Sequence, residues 1–151
     1  ISSDEETQEV EMFIGEKGIT TAYDILLDKT NRNSILRFFY LHDPSYDDRV
    51  YDFYYGRVNY NRKKLNPILK SKKIVWRGII NKENLKKELG KPPKNIDQKY
   101  TKLPVPGNID ITDNTILITV WSSKPLGILI QSKEVAKNFQ KYFDSLWKLI
   151  K

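Results

Sequence analysis

The C-terminal segment of the chain, "SKEVAKNFQKYFDSLWKLIK", carries apolar residues at the three-and-four spacing of an α-helix. Ser132 stands at its start, where a serine hydroxyl can cap the first turn. One face of the predicted helix collects Val135, Phe139, Tyr142, Phe143, Leu146, Trp147 and Ile150. A helix with such a broad apolar face is stable only when that face is packed, so the rest of the chain must supply a second layer.

Strand-forming runs upstream supply that layer. "SILRFFYLHD" is a continuous apolar run of strand length, which predicts a strand buried on both faces near the centre of a sheet. "NIDITDNTILITVW" predicts a hairpin that turns at Asp113 and Asn114, and "LGILI" predicts the next strand. A helix is expected over Ile19 to Leu27, after a turn at Gly15 to Gly18. We therefore predict an α/β fold, bordering on α+β, in which helices flank a mixed β-sheet.

Length and composition favour a single domain. A chain of 151 residues can bury an ordinary core. The absence of cysteine excludes disulfides and thiolate metal ligands and favours a cytoplasmic location. The apolar runs are too short to span a bilayer, so no membrane partner is expected. The acidic start predicts a disordered segment or linker end over residues 1–9, followed by one domain over residues 10–151.

The only histidine, His42, lies among aspartates in "LHDPSYDD". A histidine beside carboxylates is a pattern of acid–base or metal sites. However, "HDP" at a strand end is more typical of a turn, in which aspartate accepts local hydrogen bonds. No phosphate loop, nucleophile elbow or metal-binding motif accompanies it. We therefore predict no catalytic residues, no metal and no cofactor.

A basic stretch runs from Gly56 to Lys94, with only Glu83 and Glu88 as acidic residues. Together with a formal net charge of +7, this clustering is one signature of phosphate binding. Lysine is also typical of solvated helix faces, and the stretch lacks a stacking platform interleaved with arginines. A nucleic-acid-binding module stays open as an alternative. Its candidate contacts are Arg57, Arg62, Lys63, Lys64, Lys70, Lys72 and Lys73.

Two further stretches carry a resemblance to a known family. "NIDITDNTILITVWSSKPLGILIQSKEVAKNFQKYFDSLWK" has a hairpin ending in tryptophan, a Pro-containing turn, a strand, and a helix that closes on Tyr-Phe-x-x-Leu-Trp. "MFIGEKGITTAYDILL" has a strand, a Gly-x-x-Gly-Ile turn and a helix. Both resemble the C-terminal domain of TrmB-like archaeal transcriptional regulators, which has a phospholipase-D-like fold. The resemblance starts near Val10 and is weakest over residues 44–105, where it lies mainly in the order of elements.

The resemblance also implies that the catalytic motif is missing. Phospholipase D enzymes carry a histidine, a lysine two positions later and an aspartate five positions beyond that. With Asp113 as the aspartate, Pro106 takes the place of the histidine and Asn108 that of the lysine. Without the imidazole no phosphohistidine forms, and without the lysine the phosphate loses its countercharge. His42 lies in another element, which leaves a diverged phosphodiesterase as the least favoured alternative.

By resemblance, the chain is a non-enzymatic effector-sensing or dimerisation domain of a regulator. The family places a DNA-binding winged helix upstream, so the expected partners are a second copy, a small-molecule effector, and DNA through that upstream element. The hairpin lies where the related enzymes hold substrate. The candidate ligand contacts are Tyr54, Arg77, Asn108, Asp110, Trp121 and Ser122. Asn108 and Asp110 are equally compatible with solvent-facing strand positions.

Overall fold

The computed structural model describes residues 8–81 and 96–150. Within this part of the chain, seven strands form one sheet in the order β1-β7-β6-β5-β2-β3-β4. The strands are β1 (Glu9–Ile14), β2 (Ile35–Tyr40), β3 (Val75–Asn81), β4 (Ile96–Thr101), β5 (Asn108–Ile111), β6 (Thr115–Val120) and β7 (Leu126–Gln131). The pairs β2–β3 and β3–β4 are parallel and the other pairs are antiparallel. The predicted mixed sheet is confirmed, with β2 in its interior.

Four α-helices flank the sheet within the described residues. They are α1 (Gly15–Asp28), α2 (Asp47–Tyr54), α3 (Asn66–Ser71) and α4 (Lys133–Leu149). A π-helical turn over Asn61–Leu65 leads directly into α3. The turn predicted at residues 15–18 was wrong, because α1 begins at Gly15 itself. A φ of +79° at Gly15, which a residue without Cβ adopts without strain, lets the chain pass from strand to helix in one step.

The helices divide into two layers, one on each face of the sheet. Helices α1 to α3 pack with one set of strand side chains, including Leu36 and Leu117. Helix α4 packs with the other set, including Phe39 and Ile111. Because alternate strand residues point to opposite faces, each strand contributes to both cores. The sheet is therefore buried on both faces over its central strands.

Helix α4 is fixed at both ends. The Ser132 hydroxyl accepts a hydrogen bond from the Val135 N–H at 3.2 Å, which confirms the predicted N-cap. At the other end, the Lys99 ammonium donates to the carbonyls of Trp147 at 2.8 Å and Ile150 at 3.0 Å. A cation there satisfies carbonyls that have no partner within the helix and complements the helix dipole. Lys99 thus ties α4 to strand β4.

Candidate functional site

A buried carboxyl group marks the centre of the candidate site. Strand β5 lies between β6 and β2, and its residues Ile109 and Ile111 face the α4 core. Asp110, between them, points to the opposite face, toward α1 and α2, and is only 9% exposed. From the sequence, a solvent-facing position was an alternative interpretation for Asp110, and its burial in the structure excludes that alternative. A buried carboxyl must find hydrogen-bond donors, since leaving it unsatisfied is costly.

Two tyrosines provide those donors in series. The Tyr23 hydroxyl, from α1, donates to Asp110 Oδ2 at 2.6 Å. The Tyr23 and Tyr54 hydroxyls are also hydrogen-bonded to each other. The Tyr23 O–H group has one hydrogen, and it is donated to the Asp110 carboxylate. In the pair of hydroxyls Tyr23 can therefore only accept, so Tyr54 is the donor. The chain of donation runs from α2 through α1 into the sheet and couples the three elements.

Aromatic rings enclose this chain of hydroxyls. Phe53 lies 5.0 Å from Trp121 and 5.5 Å from Tyr60 between ring centroids. Tyr54 meets Trp121 edge-on at 5.9 Å. Trp121 is buried, and its Nε1 has no hydrogen-bond partner within the described part of the chain. An indole N–H in this position is a donor that a bound acceptor could satisfy.

The surroundings shift the acidities of these groups. Burial raises the pKa of Asp110 from 3.8 to about 7, and the Tyr23 hydrogen bond opposes that rise. Burial, followed by the Asp110 charge, raises the pKa of Tyr23 and of Tyr54 well above the usual 10.0 for tyrosine. The two phenols therefore stay protonated near neutrality, whereas Asp110 titrates there. The cluster can gain or lose one proton at its carboxyl group.

The predicted site residues at the strand ends have structural partners. Asn108 Oδ1 accepts a hydrogen bond from the Leu41 N–H at 2.8 Å, which joins the start of β5 to the end of β2. The Ser122 hydroxyl donates to the Lys124 carbonyl at 3.0 Å, and the Ser122 carbonyl accepts from Arg49 Nη1 at 2.6 Å. Both residues lie at the same end of the strands, where β6 ends and β5 begins.

Arg77 lies apart from the other predicted ligand contacts. Its neighbour Trp76 packs in the core beside α1, and Arg77 points to the opposite face. There the guanidinium lies 5.0 Å above the centre of the Trp147 ring, and Arg77 Nη2 is 4.0 Å from Asp97 Oδ2. The six predicted ligand contacts therefore divide into three sets. Tyr54, Asp110 and Trp121 lie together. Asn108 and Ser122 lie at one end of the strands, and Arg77 is separate from both sets.

His42 lies just after the end of β2 and is shielded from solvent. Its side chain is 2% exposed, and Nδ1 lies 3.0 Å from Asp47 Oδ1 at the start of α2. Burial raises the pKa of Asp47, and the His42 charge opposes that effect. The neighbouring Asp43 accepts from the Ser45 N–H at 2.9 Å, the local turn that the sequence favoured. His42 therefore serves the packing between the end of β2 and α2.

The basic candidates divide into two groups. Arg57 Nη2 lies 3.0 Å from Glu16 and 3.1 Å from Asp52, and Lys64 Nζ lies 2.8 Å from Asp24. Lys72 Nζ donates to three backbone carbonyls at the end of α1. The second group, Arg62, Lys63, Lys70 and Lys73, is exposed. Lys70 and Lys73 line an open cavity of about 390 Å³ together with Asn66, Leu69 and Ile74.

Sequence reasoning missed Tyr23 and the contact of Tyr60 with Asp24. Tyr23 follows the apolar spacing of α1, so its ring is indistinguishable from a core residue in the sequence. The Tyr60 hydroxyl donates to Asp24 Oδ1 at 3.0 Å across 36 residues of sequence separation. No local signal encodes a contact of that range, because it depends on how α1 and the segment before the π-helical turn are placed on the sheet.

Two negative findings apply to residues 8–81 and 96–150. No cluster of three or more histidine, cysteine or carboxylate residues there has the arrangement of a metal site. None of the helices in the same ranges combines the length and the apolar character needed to cross a membrane. The hydrogen-bonded groups at the centre of the site are two tyrosine hydroxyls and one carboxyl group.

No family model matches the sequence, and no curated protein is significantly similar to it. Solved structures that share the fold include TrmBL2, NucT and Nuc. TrmBL2, an archaeal chromatin protein, matches all of this chain and 56% of its own, with a TM-score of 0.59 and 11% identity. NucT from Helicobacter pylori matches 95% of this chain and 98% of its own, with a TM-score of 0.60 and 12% identity.

The third is Nuc from Salmonella typhimurium, a phospholipase D family member. It matches 96% of this chain and 97% of its own, with a TM-score of 0.56 and 9% identity. This chain thus spans little more than half of TrmBL2 and nearly all of the two other proteins. At these identities the likeness concerns the fold alone, and the chain has a phospholipase-D-like fold.

Proposed function

We propose that this chain is a non-enzymatic sensing and dimerisation domain of a TrmB-like transcriptional regulator. The observation that carries the proposal is the environment of Asn108, which falls at the position of the phospholipase D lysine when Asp113 is taken as the motif aspartate. It is an amide, and its oxygen is taken by the Leu41 N–H. Pro106, at the histidine position, has no group that could attack phosphorus.

The match to TrmBL2 supports the regulator half of the proposal. TrmBL2 is described as a chromatin protein with a novel mode of DNA binding, and this chain matches 56% of its length. We assign DNA reading in the present protein to a winged helix upstream of this domain. A second copy of the chain and a small-molecule effector are the partners proposed for the domain itself.

The cluster of Tyr54, Asp110 and Trp121 supports the effector half. Trp121 Nε1 is a buried donor without a partner among the described residues, and the Asp110 carboxyl titrates near neutrality. A polar ligand that accepts from an indole N–H would be stabilised there. Because α1 and α2 both contribute to the cluster, a ligand bound at this point would change how these helices sit on the sheet.

The alternative function, nucleic-acid binding by the domain itself, is favoured only by the outward-facing basic residues. Lys70 and Lys73 line the open cavity, whereas Arg57, Lys64 and Lys72 are engaged within the chain. Direct binding of phosphates would make affinity fall steeply with salt, because each contact releases a counterion.

We expect the full-length regulator to bind promoter duplex at least 100-fold more tightly than the 151-residue chain, since nonspecific affinity is roughly 10³-fold or more below specific affinity. Fluorescence anisotropy with the same duplex at low and physiological salt checks this. Tight, salt-sensitive binding by the chain alone would transfer the function to the basic stretch. In that case replacing Lys70 and Lys73 by alanine should weaken it, and the same change at the exposed Lys137 and Lys141 of α4 should not.

A further inference from the structure

One face of the sheet is apolar and only partly covered. The strand registers align three rows of side chains across β1, β7 and β6. Alternation places all of them on the face that carries α4. The rows are Val10, Ile130 and Ile116; Met12, Ile128 and Ile118; and Ile14, Leu126 and Val120. We call these nine residues the β1 face.

The outer part of the β1 face is open. Helix α4 starts directly after β7 and packs over β5 and β6, so β1 lies outside its cover. Val10 is 68%, Met12 62% and Ile14 73% exposed. An edge strand usually carries charges that discourage further association. Here the charges of β1, Glu9 and Glu11, alternate onto the opposite face and leave the β1 face without any.

The open apolar area on the β1 face is on the order of 500 Å², which is near the upper end for the largest patch on an ordinary monomer. Two such patches packed together would bury on the order of 1,000 Å², at the low end for specific protein interfaces. Interfaces below about 1,200 Å² are those of weak or transient complexes, so we expect a dimer that forms only at micromolar or higher concentration.

We propose that the open part of the β1 face, around Val10, Met12 and Ile14, packs against the same part of a second copy of this chain. The inference rests on the dimerisation half of the proposed function and assigns the surface that performs it. A two-fold axis through the face sets each patch against its own image, as an isologous interface requires. Met12 occupies the edge-strand position of the central row, so the two copies of Met12 come close to each other near the axis.

Other occupants fit the face less well. Nucleic acid requires cations, and none of the nine residues is charged. Residues 1–7 contain Ile1 as their only large apolar side chain, too little to cover three rows. A second copy supplies an apolar surface of matching extent without any further component.

The absence of cysteine from the chain gives a direct test. Met12→Cys places one thiol at the centre of the proposed interface. Leu103→Cys is the matched control, because Leu103 is a similarly exposed apolar residue, 57% against 62%, in the loop between β4 and β5. With a short bis-maleimide at micromolar protein, we expect Met12→Cys to give a covalent dimer at least tenfold faster than Leu103→Cys.

Sedimentation of cysteine-free variants completes the test. We expect the native chain to dimerise between roughly 1 and 100 µM, since an interface at the low end of the size range supports a weak complex. Met12→Lys should raise the dissociation constant at least tenfold, and Leu103→Lys should leave it unchanged. Ile14→Thr, which keeps a β-branched residue in the strand, gives a milder version of the same shift if Met12→Lys fails to fold.

The outcomes separate the inference from the proposed function. A dimer that cross-links through Met12→Cys and weakens with Met12→Lys supports both. A dimer indifferent to Met12→Lys and Ile14→Thr, with no cross-link at position 12, overturns the β1 face but keeps dimerisation. A chain that stays monomeric at 100 µM overturns the inference and the dimerisation half of the function together, while leaving the DNA-binding comparison unaffected.

Discussion

Asp110→Asn is expected to make the protein more stable at pH 8 by up to about 4 kcal/mol while changing its stability little at pH 4. The native carboxyl is buried, and its pKa rises to about 7 in the folded state, against a usual 3.8. Each unit of such a shift corresponds to about 1.4 kcal/mol, which gives the size of the effect. Asparagine has the same shape and still offers Tyr23 an acceptor oxygen, but it carries no charge.

The sign of this pH dependence follows from the number of protons that the folded and unfolded states bind. Between about pH 4 and pH 7 the folded state holds the Asp110 proton and the unfolded chain has released it, so the unfolded state binds fewer protons. The free energy of unfolding contributed by this group therefore falls as the pH rises through that window. Below the window both states are protonated, and above it both are ionised, so the contribution is constant on either side.

Denaturant unfolding of both proteins from pH 4 to pH 8 measures the difference directly, because contributions from other groups cancel. Asp97→Asn is the control, since Asp97 lies on β4 with a side chain that is 61% exposed. Its curve should run parallel to that of the native chain. Parallel curves for Asp110→Asn as well would show that the carboxyl is ionised in the fold at acidic pH, and the account of the buried cluster would be wrong.

Gly78→Ala is expected to destabilise the fold by about 2 to 3 kcal/mol, the upper part of the range of roughly 1 to 3 kcal/mol for inserting a group into packed space. Gly78 on β3 pairs with Phe38 on β2, and the Phe38 ring lies across it, 5.3 Å from the Trp76 ring. A Cβ at residue 78 would come within 2.0 to 2.4 Å of three ring atoms of Phe38. The ring would have to move out of its place between its neighbours.

Thermal unfolding of Gly78→Ala, Phe38→Leu, the double variant and one control variant tests this explanation. Gly127→Ala on β7 is the control, because its Cβ would meet Leu117, Ile19 and Ala22 at ordinary contact distances of 3.5 to 3.7 Å. Gly78→Ala should lower the melting temperature by roughly 4 to 12 °C, and Gly127→Ala should not lower it. Adding Phe38→Leu to Gly78→Ala should recover part of the loss. Strict additivity of the two changes would contradict a clash with the ring.

Elements with a strong local period were predictable from the sequence, and those set by geometry were not. The apolar spacing of α4 and the alternating hairpin around Asp113 predicted both elements, because each needs one buried face. The start of α1 at Gly15 was mispredicted, since a glycine usually signals a turn and only the +79° φ shows its use here. The π-helical turn at Asn61–Leu65 has no comparable signature in the sequence.

The candidate site was predictable only in part. Tyr54, Asp110 and Trp121 were named from the sequence, and the structure brings them together. Arg77 was named with them but faces α4, because its strand is apolar on both sides and its sequence does not show which residues face which layer. Tyr23 was missed, since a tyrosine at a core position of α1 becomes a hydrogen-bond donor only once β5 places Asp110 opposite it.

The described contacts also show which residues hold the phospholipase-D-like sheet together. The Arg37–Asp144 ion pair, with Nε–Oδ1 at 2.8 Å, joins β2 to α4, and the Lys99 contacts join β4 to the end of α4. Asn108 and Ser122 are used for contacts between elements. The fold is therefore stabilised by residues that need no catalytic partner.

The central claim, that the fold is retained without phosphodiester chemistry, is tested most directly by one assay. The chain is incubated with bis(p-nitrophenyl) phosphate, with a phospholipase D enzyme as positive control, while released nitrophenol and the intact mass of the protein are followed. We predict release no faster than in buffer and no added phosphoryl mass. Turnover that a folded His42→Ala variant abolishes, or a phosphoryl adduct on the protein, would contradict the claim.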